Sequence, residues 1–126
     1  MKRSTTILAA ALLALAVSVP AVLASGGDGT RIALHSAKAF PAAKGSATFK
    51  AKPGERQLET EVEHVRRLAG RTVTFYVSGK RLGSAKVGAL GAAHIRRRNG
   101  AVPVVQAGTA VSVKTAGGVL IAKGSF

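Results

Sequence analysis

The chain has 126 residues, with 19 Lys and Arg against 5 Asp and Glu, 3 His and no Cys, for a formal net charge of +14. That length accommodates one domain, and a hydrophobic content of 47% is too high for a disordered basic tail. The absence of cysteine excludes a disulfide scaffold, a thiol nucleophile, a zinc ribbon and an iron–sulfur site.

Met1-Lys2-Arg3 is followed by an uncharged apolar run over residues 7–19 (ILAAALLALAVSV), a break at Pro20 and the small-residue step Val22-Leu23-Ala24. A basic start, an apolar centre and a small-residue exit spell a secretory signal peptide over residues 1–24, cut after Ala24. The competing reading is a membrane anchor. Residues 7–24 barely reach the roughly 18 to 20 residues a span requires, and a helix breaker sits inside them. No cysteine follows the cut, which closes the lipoprotein route. Cleavage leaves 102 residues with 17 Lys and Arg against 5 acids, net +12, and no transmembrane segment. Export without cysteine points to a bacterial periplasm or extracellular space.

Ser25-Gly26-Gly27-Asp28-Gly29 opens a flexible leader over residues 25–30, and residues 31–126 form the domain. Glycine then punctuates short Val- and Thr-rich runs about every ten residues, the pattern of an all-β sandwich or barrel. Residues 55–68 are the best helix candidate, with Leu58, Val62 and Val65 at helical spacing. Leu58, Thr60 and Val62 also alternate strictly with Glu59, Glu61 and Glu63 after a Pro53-Gly54 turn, which favours a strand.

The turns imply registers. Pro53-Gly54-Glu55-Arg56 as a loop sets Lys52 opposite Gln57, Lys50 opposite Glu59 and Phe49 opposite Thr60. The inner face then carries Ala47, Phe49, Ala51, Leu58 and Val62, and the outer face pairs Lys with Glu. Ser78-Gly79 as a two-residue turn sets Val77 opposite Lys80 and Phe75 opposite Leu82. A bulge at Gly83 then restores the phase to Ala85 and Val87. Asn99-Gly100 is the strongest hairpin dipeptide in the chain, a type I′ signal. Residues 101–105 contain Pro103 and read as an edge strand or extended connector. Ala116-Gly117 sets Val113 opposite Leu120 and Val111 opposite Ala122. The sum is about seven or eight strands in a single antiparallel β-sandwich, Ig-like or barrel-like.

The order KGSATFKAKPGERQLETEVEHV, VTFYVSGKRLGSAKV, NGAVPVVQAGTAVSV and GVLIAKGSF resembles a family of small exported bacterial all-β proteins. That family shows a VEVE segment, a V-x-V-x-V-N-G hairpin, a VP-x-V-x-AG connector and a terminal G-x-F. The likeness covers residues 45–126. It implies an exported all-β domain and transfers no catalytic residues. GSATFKAKPGERQLETEVEHV and AAHIRRRNGAVPVV also resemble parts of the CHRD domain, in which an Ala-His-Ile-His stretch precedes an Asn-Gly turn; here Arg96 replaces the second histidine.

The side chains that carry chemistry are sparse. His35, His64 and His94 stand apart on different strands or strand ends, and no metal-ligand spacing joins them. Glu59, Glu61 and Glu63 lie about 7 Å apart on one strand face. Opposite lysines there, they read as solvated cross-strand ion pairs, not as an acid–base pair. There is no Gly-x-Ser-x-Gly, the sole Asp lies in the leader, and Gly79-Lys80 is followed by Arg81, not Ser or Thr. No catalytic, metal or cofactor residue is therefore assigned, and no enzymatic activity is expected. A pocket joining two of the histidines to the glutamates would reopen that question.

The basic residues stand out. Arg66, Arg67, Arg71, Lys80, Arg81, Arg96, Arg97 and Arg98 gather near predicted turns and are the candidate polyanion-binding residues. Only Tyr76 lies on a predicted outer face beside them, so sequence-specific nucleic-acid recognition is not expected. The opposing reading is that the charge keeps a Gly-rich β protein soluble and blunts its sheet edges. The sequence thus points to an exported, non-enzymatic β domain with a structural or binding role. Its alternative role is electrostatic binding of an anionic polymer (cell-wall polymer, acidic polysaccharide or nucleic acid) or of a membrane surface.

Overall fold

A computed structural model describes residues 29–126. Eight strands follow in order: β1 (Thr30–Ser36), β2 (Lys44–Lys52), β3 (Glu55–Glu63), β4 (Thr72–Val77), β5 (Lys80–Lys86), β6 (Ala93–Arg98), β7 (Ala110–Thr115) and β8 (Leu120–Ser125). All pair antiparallel in one sheet of order β5-β4-β7-β8-β1-β2-β3-β6. The two edge strands, β5 and β6, come back into contact, so the sheet curls to near closure. This is the barrel-like form, one sheet and not two facing ones. The right-handed twist of each strand, summed over eight, supplies the curl. The signal peptide, the membrane-anchor alternative and most of the leader fall on residues 1–28, outside the described residues; Thr30, given to the leader by sequence, begins β1.

The strand pattern follows from period-two alternation. Leu58, Thr60 and Val62 of β3, Val73, Phe75 and Val77 of β4, and Val111 and Val113 of β7 all point into the barrel and are buried. Phe40, Val65 and Val87 close one end of this core, and Val102 and Val105 close the other. The interior is filled by side chains, and fully burying a Phe75 or a Leu58 contributes roughly 2–3 kcal/mol each relative to exposure. Any ligand must therefore meet the barrel from outside.

Turn geometry corrects several expected registers. Pro53 and Gly54 alone make the β2–β3 turn: Lys52 pairs with Glu55, Lys50 with Gln57 and Phe49 with Leu58. Proline followed by a glycine at φ +78° supplies the two central residues of a tight turn. The register therefore moves by two positions, which leaves the same side chains facing inward and changes every cross-strand partner. Ser78 (φ 52°) and Gly79 (φ 77°) form the two-residue turn as expected, with Val77 opposite Lys80. The bulge falls at Leu82, one residue before the expected Gly83, so Phe75 faces Gly83 and not Leu82.

Asn99-Gly100 does not reverse a hairpin. Asn99–Ala101 is a 3-10 turn, and Asn99 holds the β2–β3 turn region instead: its Oδ1 accepts from the Arg56 N–H at 3.1 Å and its carbonyl from Arg56 Nη2 at 3.3 Å. β6 already has β3 on one side, and Pro103 lacks the N–H a new partner strand needs. Residues 102–105 accordingly run as a connector. The β7–β8 turn is longer than expected. Thr115 and Val119 close it, Gly118 adopts φ +91°, and Val113 pairs with Ala122 and Val111 with Gly124. A bulge there places both Ile121 and Ala122 in the core.

Candidate polyanion-binding surface

The barrel has two distinct ends. One carries the β2–β3 and β4–β5 turns and Asn99; the other carries the connections over residues 37–43, 64–71 and 87–92. The candidate cations divide between them. Arg66 and Arg67 form a 3-10 turn (Arg66–Leu68) just beyond β3, and Arg71 precedes β4; all three are exposed at the second end. Lys80 and Arg81 begin β5 beside the Ser78-Gly79 turn, and Arg98 ends β6 opposite Gln57; these lie at the Asn99 end. From Gln57 to the end of β3 the strand rises about 20 Å, which sets the spacing of the two groups.

Arg96, Arg97 and Arg98 do not share a face, because successive strand residues alternate. Arg96 points outward, and its Nη2 meets Glu59 Oε2 at 3.3 Å. Arg97 turns toward the gap between β6 and β5. Its Nε donates to the Leu82 carbonyl at 3.2 Å and its Nη1 to the Arg96 carbonyl at 3.0 Å. A Cβ at Gly83 would lie 2.2 Å from Arg97 Nη2, so glycine at 83 is what admits the guanidinium. Arg97 thus closes the barrel seam, a role the sequence reading did not anticipate. The signal was present: a glycine inside a strand marks either a bulge or a close approach, and here it marks an approach beside a bulge.

The glutamate row also differs from expectation. Lys50 faces Gln57, not Glu59, while Glu59 lies between Thr48 and Arg96, and Glu61 between Ser46 and His94. Glu63 is opposite Lys44 and stands 3.9 Å from His64 Nε2. His35 and His64 line one open hollow with Lys44, and His94 lies apart on β6. Among the described residues no group of three His, Cys, Asp or Glu is placed to hold a metal. Tyr76 is capped by Lys114, whose Nζ lies 5.2 Å from the ring centroid, so its face is already occupied.

Fold and surface together define an all-β, barrel-like domain with an apolar interior and a strongly cationic exterior. No family model matches the chain, and no curated protein and no solved structure matches it. Among the described residues no helix is long and apolar enough to cross a membrane.

Proposed function

We propose that the protein is an exported, non-enzymatic binding module that holds an anionic polymer on its outer surface by charge. One observation carries the reading. Among the described residues, Arg96 is the single Lys or Arg side chain in an ion pair with a carboxylate. Lys44 and Lys52 stand opposite Glu63 and Glu55 in the sheet without forming an ion pair, and the other cations among the described residues meet no carboxylate or, like Arg97, bond to neutral groups. Such a surface concentrates small anions, and a polyanion that displaces them gains their release entropy. Because the cations occupy both ends and the wall, the polymer lies along the barrel and spans about 20 Å, not one localised cleft. Cell-wall polymer, acidic polysaccharide and nucleic acid share the required chemistry.

Retention of the protein on immobilised heparin and duplex DNA, at about 0.05 M and about 0.3 M salt, tests this. Strong retention at low salt and steep loss at high salt are expected. Replacing Arg66, Arg67 and Arg71 by Ala, or separately Lys80, Arg81 and Arg98, should each lower the log–log salt slope on DNA, by about 0.9 for each phosphate that is no longer neutralised. No retention at low salt, or equal behaviour of both triple variants and the parent, overturns the reading.

A further inference from the structure

The end of the barrel that carries Arg66 and Arg67 also carries a hollow of about 560 Å³, whose walls include Phe40, Pro41, His64, Arg66, Arg67 and Leu90. Its volume lies within the range of small-molecule sites, roughly 300–1,000 Å³. One wall is apolar. Leu90 is 77% exposed, the most exposed of the large hydrophobic side chains among the described residues. It is held there by a closed turn, in which the Gly88 N–H donates to the Ala92 carbonyl and the Gly91 N–H to the Gly88 carbonyl, each at 2.9 Å. The Val65 N–H donates to the Gly91 carbonyl at 3.0 Å and ties this turn to the arginine-bearing segment. A Cβ at Gly91, where φ is +84°, would lie 2.7 Å from the Arg66 nitrogen. The two segments therefore meet backbone to backbone, and Leu90 is fixed beside Arg66.

The other wall is cationic. The Arg67 guanidinium stacks on Phe40, 4.7 Å from the ring centroid, and its Nη2 donates to the Ala39 carbonyl. That anchorage leaves further N–H donors to face a ligand. Arg66 is exposed beside it. Glu63, the carboxylate nearest in sequence, accompanies His64.

A hydrated inorganic anion would use the guanidinium groups and leave Leu90 and Pro41 wet. A neutral hydrocarbon would cover Leu90 and offer the guanidinium groups nothing. We propose that this hollow binds an anionic amphiphile: an alkyl or acyl chain ending in a carboxylate or phosphate. The head group meets Arg66 and Arg67, and the first part of the chain lies across Pro41 and Leu90. The site shares Arg66 and Arg67 with the polymer-binding surface but differs from it in requiring an apolar surface, which the polymer does not.

The test titrates the full-length protein, followed by amide chemical shifts, with four probes below their micellar concentrations: dodecyl phosphate, dodecanoate, inorganic phosphate and dodecyl maltoside. Dodecyl phosphate or dodecanoate should saturate shifts at Leu90, Gly91 and Arg66, the stronger of the two naming the head group. Inorganic phosphate and the neutral maltoside should bind at least about tenfold more weakly, because each engages only one of the two walls. Leu90→Ser removes apolar surface worth about a factor of ten in affinity, while leaving retention on DNA unchanged. Lys80→Ala with Arg81→Ala should do the reverse. Equal affinity for dodecyl maltoside, no effect of Leu90→Ser, or shifts confined to the apolar run at residues 7–19 would overturn the proposal.

Discussion

Thr60 sits on the inner face of β3 between Leu58 and Val62, opposite Ala47 on β2 and Ile95 on β6. It is 1% exposed, and its Oγ1 has no hydrogen-bond partner. The unfolded chain would give that hydroxyl to water. Burying it without a partner costs about 1–3 kcal/mol on mutational scales. Thr60→Val replaces the hydroxyl by a methyl group of nearly the same shape and keeps the β-branched side chain that a strand favours. The expected outcome is a gain of at least about 1 kcal/mol, which for a domain near this size raises the melting temperature by about 4–8 °C. Thermal unfolding followed by circular dichroism measures the shift. Urea unfolding should give a higher midpoint with an unchanged slope, since the surface exposed on unfolding is the same. Thr60→Ser, which keeps the hydroxyl and deletes the methyl, should lose about 1 kcal/mol through the vacated volume. If Thr60→Val melts at or below the parent temperature, the hydroxyl is satisfied in solution and carries no desolvation penalty.

Two further expectations concern the seam. Gly83→Ala should push the Arg97 guanidinium off the Leu82 carbonyl, since the added carbon would lie 2.2 Å from Nη2; hydrogen exchange should accelerate along β5 and β6 and stay unchanged along β1 and β2. Arg97→Ala should lower stability by about 1–3 kcal/mol, the cost of losing a hydrogen bond from a charged donor and stranding a part-buried carbonyl. Arg98→Ala, one residue on and exposed, should leave the melting temperature unchanged; equal effects of the two substitutions would remove Arg97 from its seam role.

Strand existence and inward faces were legible because both are local. Alternation of Leu58, Thr60 and Val62 with Glu59, Glu61 and Glu63 defines a face whatever strand lies next to it. For the same reason the two-position error at Pro53-Gly54 did no harm to the core, since shifting by one full side-chain period returns each residue to its own side. It did falsify the Lys50–Glu59 pairing, because an ion pair depends on absolute register. Asn99-Gly100 misled for another reason. Its hairpin chemistry is a local preference, and the position was already claimed by hydrogen bonds from Arg56, 43 residues earlier. Tertiary bonding outcompeted the turn preference, while the weaker-looking Ser78-Gly79 took the two-residue hairpin geometry.

The candidate cations were identifiable as a set and not as an arrangement. Linear order placed Arg66 with Arg71 and Lys80 with Arg81, and the strand expected between them already set the two groups one strand length apart; it gave no sign that Arg97 leaves the set to bond at the β5–β6 seam.

Composition, period-two patterning and glycine placement, all local or additive properties of the chain, were enough to specify an all-β domain, the inward faces of most of its strands and an excess of positive charge; Ile121, which a bulge turns inward, escaped them. The meeting of β5 with β6, the seating of the half-buried Arg97 against Gly83 and the convergence of Phe40, Arg66 and Leu90 around one hollow each join segments far apart in the chain. Such meetings depend on how eight twisted strands close on one another, and that closure is a property of the assembled sheet, which no single segment encodes.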